Sequence, residues 1–400
     1  MMNRTNLFRT PAGGLLLALL AAGPAVGQDF SSIVPGTDAE SPPMPAAEII
    51  PLAPLPELEP QDPVVVALGE LLFFDNRASG NADQRCYNCH NPRQGWTDGI
   101  SLSDGYPGTK YFRNSKTIIN VAYAPIVYWD GHMTGGAGDL DSQVRDSITE
   151  SYFQAMDGRI MLQRWKQVPE YVERFQAAFN AEPDFELTLT AISAFMRTLV
   201  SKNVPFDNYL KGDSNAISAQ AKNGLALFQG KAGCIQCHSG PMLSDYQPHA
   251  LGVPENPYVF VTPKRHTTYR AFLRNLGVPN RYNWLEDVGH YVTTKERKHI
   301  GTFITPSLRE VSRTPPYMHN GMLPSLEEVV EFYDQGGAEH PNKDSRLHPL
   351  GLSEGEKAEL VEFLRTLSGD QLIPEDMENR LVNMDNLPAY ETVPWMDIDN

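Results

Sequence analysis

The residues with the clearest chemistry are Cys86-Tyr87-Asn88-Cys89-His90 and Cys234-Ile235-Gln236-Cys237-His238. A Cys-x-x-Cys-His run suits covalent attachment of haem c. The two thiols add across the vinyl groups, and the histidine one residue past the second thiol sits under the iron as proximal ligand. Two such runs predict two haems, attached through Cys86, Cys89, Cys234 and Cys237, with His90 and His238 on the irons. These are all four cysteines of the chain, so none is left for a disulfide or a separate redox pair. A bare Cys-x-x-Cys also fits zinc or a thioredoxin-like dithiol. The histidine that ends each pair, and the export signal described below, argue for haem.

Each motif needs a scaffold, and both halves of the chain offer a similar one. Asp62-Pro63 supplies an N-cap and a first-turn proline, and Val66, Leu68, Leu71 and Leu72 give the apolar face of a helix ending near Phe74. A helix expected over 218–230 leads into the second motif in the same way, which is a weak internal repeat of domain size. Further helices are predicted over 158–180 and 187–201, where Ile192, Phe195, Met196 and Leu199 recur at helical spacing. Ser325-Leu326-Glu327-Glu328 reads as a capping box opening a helix through Tyr333, closed by Gly336-Gly337, and Ser353 opens another helix to about Leu367. Residues 206–213 read as a connector, and 247–301, mixed in pattern with prolines and aromatics, as loop with one short hairpin. The chain is expected to be mainly α with little β structure.

Residues 1–27 have the plan of a cleaved secretory signal: Arg4 and Arg9, an apolar run over 13–22, then the small residues Ala25-Val26-Gly27. The run is too short to span a bilayer, and no other segment is long and apolar enough. A periplasmic protein without membrane insertion of the mature chain is expected, matching where haem c is assembled. Residues 28–61, rich in Pro, Ala, Ser and Glu, predict an extended linker or surface strap, and 369–400 an acidic tail. The formal net charge of −16 argues against nucleic acid and anionic lipid and favours a basic partner, or simply keeps an exported protein soluble.

Several separated stretches then carry a family resemblance: Leu71-Leu72-Phe73-Phe74-Asp75, the first haem motif, Arg113-Asn114-Ser115, Trp129-Asp130-Gly131, Gly230-Lys231-Ala232, Thr305-Pro306-Ser307-Leu308-Arg309 and Pro316-Tyr317-Met318-His319-Asn320-Gly321. In this order, over about 60–367, the chain resembles the bacterial di-haem cytochrome c peroxidases and, more closely, their MauG-like branch. The resemblance implies two cytochrome c-like domains, each with one covalent haem c, expected here at 62–211 (peroxidatic haem) and 212–368 (electron-transfer haem). It also implies haems facing across the domain interface, hydrogen peroxide as oxidant, and a protein electron donor or protein substrate.

The same resemblance assigns individual residues. It places Trp129 between the haems as an electron relay. It puts Tyr333 where ordinary peroxidases carry a methionine ligand to the second iron; Met318, Met322, Met242 and His340 are the other ligands this chain offers. A phenolate is a hard anionic donor that stabilises ferric and higher states, whereas a thioether is soft and neutral. The stretch Asp104-Gly105-Tyr106-Pro107 lacks the histidine that blocks the first iron in many peroxidases, so an open site is expected; His132, where the family has Arg, is a poor ligand candidate. The family's acid–base pair is Gln followed ten residues later by Glu. Gln143 matches the first, Phe153 stands at the second, and Glu150 is the substitute candidate. A calcium ion is implied at Asn114 and the carbonyls of Thr314 and Pro316.

The expected function is a MauG-like oxidase, in which peroxide oxidises both haems and the stored equivalents are drawn from a partner protein. One alternative is a cytochrome c peroxidase fed by a small cytochrome or copper protein. Another is a di-haem electron carrier without peroxide chemistry, which Phe153 keeps open.

Overall fold

The computed structural model describes residues 48–134, 139–374 and 377; the signal over 1–27, the start of the linker, the glycine-rich insertion at 135–138 and most of the acidic tail lie outside them. In chain order the helices are α1 (Pro63–Phe74), α2 (Leu140–Thr149), α3 (Gly158–Lys166), α4 (Pro169–Phe179), α5 (Phe185–Arg197), α6 (Pro205–Leu210), α7 (Ala219–Gln229), α8 (Tyr258–Val261), α9 (Pro263–Asn275), α10 (Tyr291–Thr294), α11 (Leu326–Asp334) and α12 (Glu354–Arg365). The strands are short. β1 (Ile126–Val127) pairs antiparallel with β2 (Met133–Thr134), and β3 (Pro248–His249) pairs antiparallel with β4 (Phe303–Ile304), with Pro248 opposite Ile304. The expected mainly α class holds.

The internal repeat is visible in how each half is packed. The Asp62 carboxylate accepts from the Val64 amide at 2.8 Å and starts α1, while Ser218 accepts from the Ala221 amide and starts α7. α1 then crosses α5, and α7 crosses α12. At both crossings the backbones touch at a glycine: a Cβ on Gly69 would lie 1.8 Å from the Ala191 carbonyl oxygen, and one on Gly224 would lie 2.0 Å from that of Glu359. One turn on from each glycine, Phe73 and Phe228 are buried and also line the central cavity. Burial of each ring contributes about 1.5–3 kcal/mol, so the helix before each motif is anchored where the motif begins.

Two regions differ from expectation. Residues 247–301 hold three helices. Tyr269, Phe272 and Leu273 of α9 pack with Trp284, Val288, Tyr291 and Ile300, and with Leu102, Tyr111, Phe112 and Tyr152 of the first half, into a third core. The helical spacing of Tyr269, Phe272 and Leu273 is short and is interrupted by Pro257, Pro263 and Pro279, so periodicity alone hides it. Residues 206–213 are also not a plain connector: α6 occupies 205–210, and Phe206 packs edge-on to Phe363 of α12 at 5.2 Å. Val204 and Phe206 belong to the core of the second half, whereas Leu199 belongs to that of the first, so the packing divides between them.

The described parts of the linker and tail are tied down. Gly240 donates to the Ile50 carbonyl, Arg309 to that of Ala53 and Tyr123 to that of Pro56, so 50–56 runs as a strap across both halves. Past α12, Trp96 Nε1 donates to the Leu372 carbonyl at 2.8 Å, which brings the start of the tail onto the first half.

Candidate functional site

Each motif forms one 3₁₀ turn, Cys86–Asn88 and Cys234–Gln236, and in each the histidine amide bonds back to the first cysteine carbonyl, at 3.0 Å for His90 and 2.9 Å for His238. The histidine Nδ1 meets a carbonyl oxygen in both: Trp96 at 3.1 Å from His90 and Leu243 at 2.9 Å from His238. A proton on Nδ1 leaves Nε2 as a bare donor. Burial holds the imidazoles neutral, pushing His90 down to about 4 and lowering His238 as well. Both motifs line one cavity of about 1000 Å³ that is continuous between them.

Burial pushes the thiols of Cys86 and Cys89 up to about 11 and that of Cys234 up to about 12. Among the described residues one set of metal-ligating atoms converges, Cys237, Asp245 and His249, and it is an ion-pair cluster. His249 lies 3.0 Å from Asp245 and 2.8 Å from Asp344. Although burial opposes its charge, those carboxylates push the imidazole up to about 11. The matching turns, the neutral histidines and the shared cavity fit covalent haem at both motifs.

Around the first motif, Gln154 Nε2 donates to Cys86 Sγ at 3.2 Å and the Ser103 hydroxyl lies 3.3 Å from Cys89 Sγ. Next to Gln154, Phe153 stacks on Tyr128 at 5.7 Å, and both line the cavity. Gln143 and Ser147, one turn apart on α2, complete this wall: Gln143 Nε2 donates to Ser147 Oγ at 3.0 Å, and Tyr128 Oη lies 3.2 Å from the same hydroxyl. Gln143 Oε1 is buried and takes no hydrogen bond among the described residues. Glu150 does not line the cavity. α2 stops at Thr149 with Glu150 as its C-cap, and the Glu150 carboxylate lies by Tyr152.

His132 is also outside the cavity wall. It stacks on Tyr128 at 4.5 Å, bonds Asp130 at 2.5 Å and lies 3.7 Å from Asp146. Against the pull of burial, Asp130 pushes it up to about 9, and a protonated imidazole has no lone pair for iron. Asp130 in turn pairs with the fully buried Arg113, whose other nitrogens reach Asp287 at 2.6 and 2.8 Å. This buried ion pair links the halves across 174 residues of sequence.

Trp129 stands at the junction. Its indole donates to the Asn114 carbonyl at 2.9 Å, next to Ser115, whose hydroxyl holds the Cys89 carbonyl. Its own carbonyl accepts from Ile304 at 2.8 Å, on the strand leading to Thr305 and Pro306 beside the second motif. Lys116 Nζ lies 5.2 Å over the indole; burial pushes that amine down to about 8. Asn114, Thr314 and Pro316 line the same cavity. The Asn114 amide nitrogen donates to the Ile100 carbonyl, which leaves Oδ1 free, and no hydrogen bond among the described residues engages the carbonyls of Thr314 or Pro316. These three oxygens are chemically suited to a calcium ion.

At the second motif Tyr333 projects from α11 into the cavity, and its hydroxyl has no hydrogen-bond partner among the described residues. Burial, followed by the nearby Cys237 and Cys234, raises its phenol, as expected for a group with no cation to pair with. Met242, Met318 and His340 line the cavity as well, and Met322 does not. Residues of this site with no signal in the sequence are Gln154, Tyr128, Ser147 and Lys116; only contact through the fold brings them to the motifs.

A family model described as di-haem cytochrome c peroxidase matches residues 63–215. Over 329 residues the chain is 45% identical to the cytochrome-c peroxidase IdrP2 of Pseudomonas sp. (strain SCT), covering 82% of this chain and 88% of that protein. Over 319 residues it is 35% identical to the methylamine utilization protein MauG of Methylorubrum extorquens, covering 79% of this chain and 82% of that protein. A solved structure of a MauG-like protein associated with microbial copper homeostasis superposes with a TM-score of 0.67 at 25% identity, covering 86% of this chain and 99% of that one.

Proposed function

The chain belongs to the di-haem cytochrome c peroxidase family, and on that premise we propose that it uses hydrogen peroxide to take electrons from a partner protein in the MauG-like manner, with Tyr333 on the second iron. The observation that carries this reading is the half-buried Tyr333 side chain, which stands on the cavity wall beside Cys234 and Cys237 with no hydrogen bond to its hydroxyl among the described residues. Bound haem supplies the iron that meets peroxide and the capacity to store and pass electrons.

The chain's own residues do the rest. Gln143 cannot ionise; it orients, with Oε1 as the acceptor for a peroxide hydrogen. Proton movement falls to the hydroxyls of Tyr128 and Ser147, backed by Asp146 against Tyr128, and not to Glu150, which does not line the cavity. Trp129, hydrogen-bonded into both halves, is the relay between them. Asn114, Thr314 and Pro316 hold calcium, which stiffens the junction. Export by the 1–27 signal makes the protein periplasmic, and no helix among the described residues is long and apolar enough to cross a membrane.

The test is the spectrum of the purified ferric holoprotein. Tyr333→Phe should change the absorption and paramagnetic signals of the second haem and leave those of the first. An unchanged second signal would show that another residue ligates, with Met242, Met318 and His340 as the cavity-lining candidates. The second reading, a cytochrome c peroxidase fed by a small donor, is favoured by the higher identity to the relative named cytochrome-c peroxidase, 45% against 35% for MauG.

A further inference from the structure

The net charge of −16 is an average, and one lobe departs from it. Residues 256–285 contain Lys264, Arg265, Arg270, Arg274 and Arg281 and no Asp or Glu. Two of these cations serve the fold. Arg265 is buried and reaches Asp104 at 3.0 Å, and Arg270 is buried with its guanidinium on the carbonyls of Arg281 and Trp284. Lys264 and Arg274 are exposed and Arg281 is half-exposed, and none of the three has a carboxylate partner among the described residues.

The same lobe shows large apolar side chains to solvent: Tyr258 is 64% exposed, Val261 69%, Tyr282 69% and Leu285 66%. They are carried on elements that pack against one another. Phe260 of α8 meets His266 of α9 at 6.2 Å, His266 Nε2 bonds Arg270 Nε at 2.8 Å, and Arg270 binds the backbone of the loop carrying Tyr282 and Leu285. At its base the lobe reaches the haem cavity, because the Glu255 carboxylate accepts from the Asp287 amide at 3.0 Å and Glu255, Leu285 and Glu286 all line that cavity.

Cations without a carboxylate partner, Lys264 on the Pro107 carbonyl and Arg281 over the Tyr282 ring among them, beside exposed apolar side chains suit a transient encounter: charge steers the approach, and the apolar side chains supply the contact. We propose that this lobe is the docking surface for a small acidic electron-transfer protein, which delivers the electrons consumed at the haems. The inference rests on the partner-protein reading above and reverses its expected charge. A basic partner follows from the chain average, but steering acts within a Debye length of about 8–10 Å, so the local charge decides. In balance, two one-electron transfers from the reduced partner and two protons from solvent convert one hydrogen peroxide to two waters.

The test uses the holoprotein, the charge-reversal variant K264E/R274E/R281E and the apolar variant Y258S/V261S. The probes are plastocyanin, a small acidic copper protein, and mitochondrial cytochrome c, a basic haem protein. Binding is measured by interferometry at about 20 and 200 mM salt, which spans the change from weak to strong screening. The parent should bind plastocyanin more tightly than cytochrome c, with affinity falling roughly tenfold at the higher salt. Charge reversal should cost roughly another tenfold at low salt, and the apolar variant a few-fold at both salts. Plastocyanin affinity unchanged in both variants, or tighter binding of cytochrome c by the parent, overturns the proposal. So does sedimentation showing that the parent self-associates through these side chains, or binding of the parent to phosphatidylglycerol vesicles that the charge reversal abolishes. Peroxide turnover with ascorbate, read separately, should be the same in parent and variants. If the parent shows none while plastocyanin binding still maps to the lobe, the peroxidase reading fails and the docking surface stands.

Discussion

The two haem motifs have the same local turn and the same histidine geometry, yet the walls they face differ. The first faces an amide and two hydroxyls, Gln143, Ser147 and Tyr128, with Phe153 stacked behind Tyr128. The second faces the Tyr333 phenol, which takes no hydrogen bond among the described residues, with Met242, Met318, His340 and Tyr246 on the same cavity. A wall of hydrogen-bonding groups suits a ligand that arrives, exchanges protons and leaves; a phenol without a hydrogen-bond partner suits a permanent axial bond. The motif decides that a haem is attached, and the opposing wall decides what that haem does.

The harshest way to break the comparison is to remove one attachment. Cys86→Ser with Cys89→Ser, or Cys234→Ser with Cys237→Ser, should each lose one covalent haem, read as a single haem mass in the intact protein, and lower peroxide turnover by about a hundredfold or more. If either change strips both haems, the halves are not independent scaffolds. Within the first wall, Gln143→Leu should slow the stopped-flow reaction with peroxide by about a hundredfold, the lower end of what a positioned proton-transfer group contributes. Glu150→Gln should stay within about twofold, and a larger loss would return the acid–base role to this carboxylate off the cavity wall.

The second wall is sharpened by Tyr333→Met. Trading an anionic oxygen for a neutral thioether should raise the potential of the second haem by on the order of 0.1 V, a fraction of the ~0.8 V that axial ligands span. Redox titration reads this directly, and the first haem should not move. A more modest loss is expected between the walls. Trp129→Phe keeps most of the buried volume but loses the indole hydrogen bond to Asn114, and should slow oxidation of the second haem after peroxide mixing by roughly tenfold. Equal rates in the variant and the parent would make Trp129 a packing residue.

Much of the scaffold was legible before folding was considered. The helices that lead into each motif begin at caps visible in the sequence, Asp62-Pro63 and Ser218, and end at Phe74 and Gln229 close to where they were expected. Ser353 forms the full reciprocal capping box with Glu356, whereas Ser325 shows only the bond from the Glu328 amide. The lobe over 256–285 was hidden, because its helices are short, rich in proline and dominated by cations on a chain whose average is acidic.

What the sequence determined by itself was chemistry that needs neighbouring residues: two thiols and a histidine within five positions, a cap followed by its helix, an apolar stripe ending in phenylalanine. Such features are local, so spacing along the chain is spacing in space. The tertiary structure alone decided which distant groups share a wall. It brought Gln154 to the Cys86 sulfur across 68 residues and closed Arg113 onto Asp287 across 174. It also ended α2 one residue before Glu150 and trapped His132 as a cation between Asp130 and Asp146. No periodicity encodes those outcomes, because each depends on where a later stretch of chain lands, and on whether burial or an opposing charge dominates when it arrives.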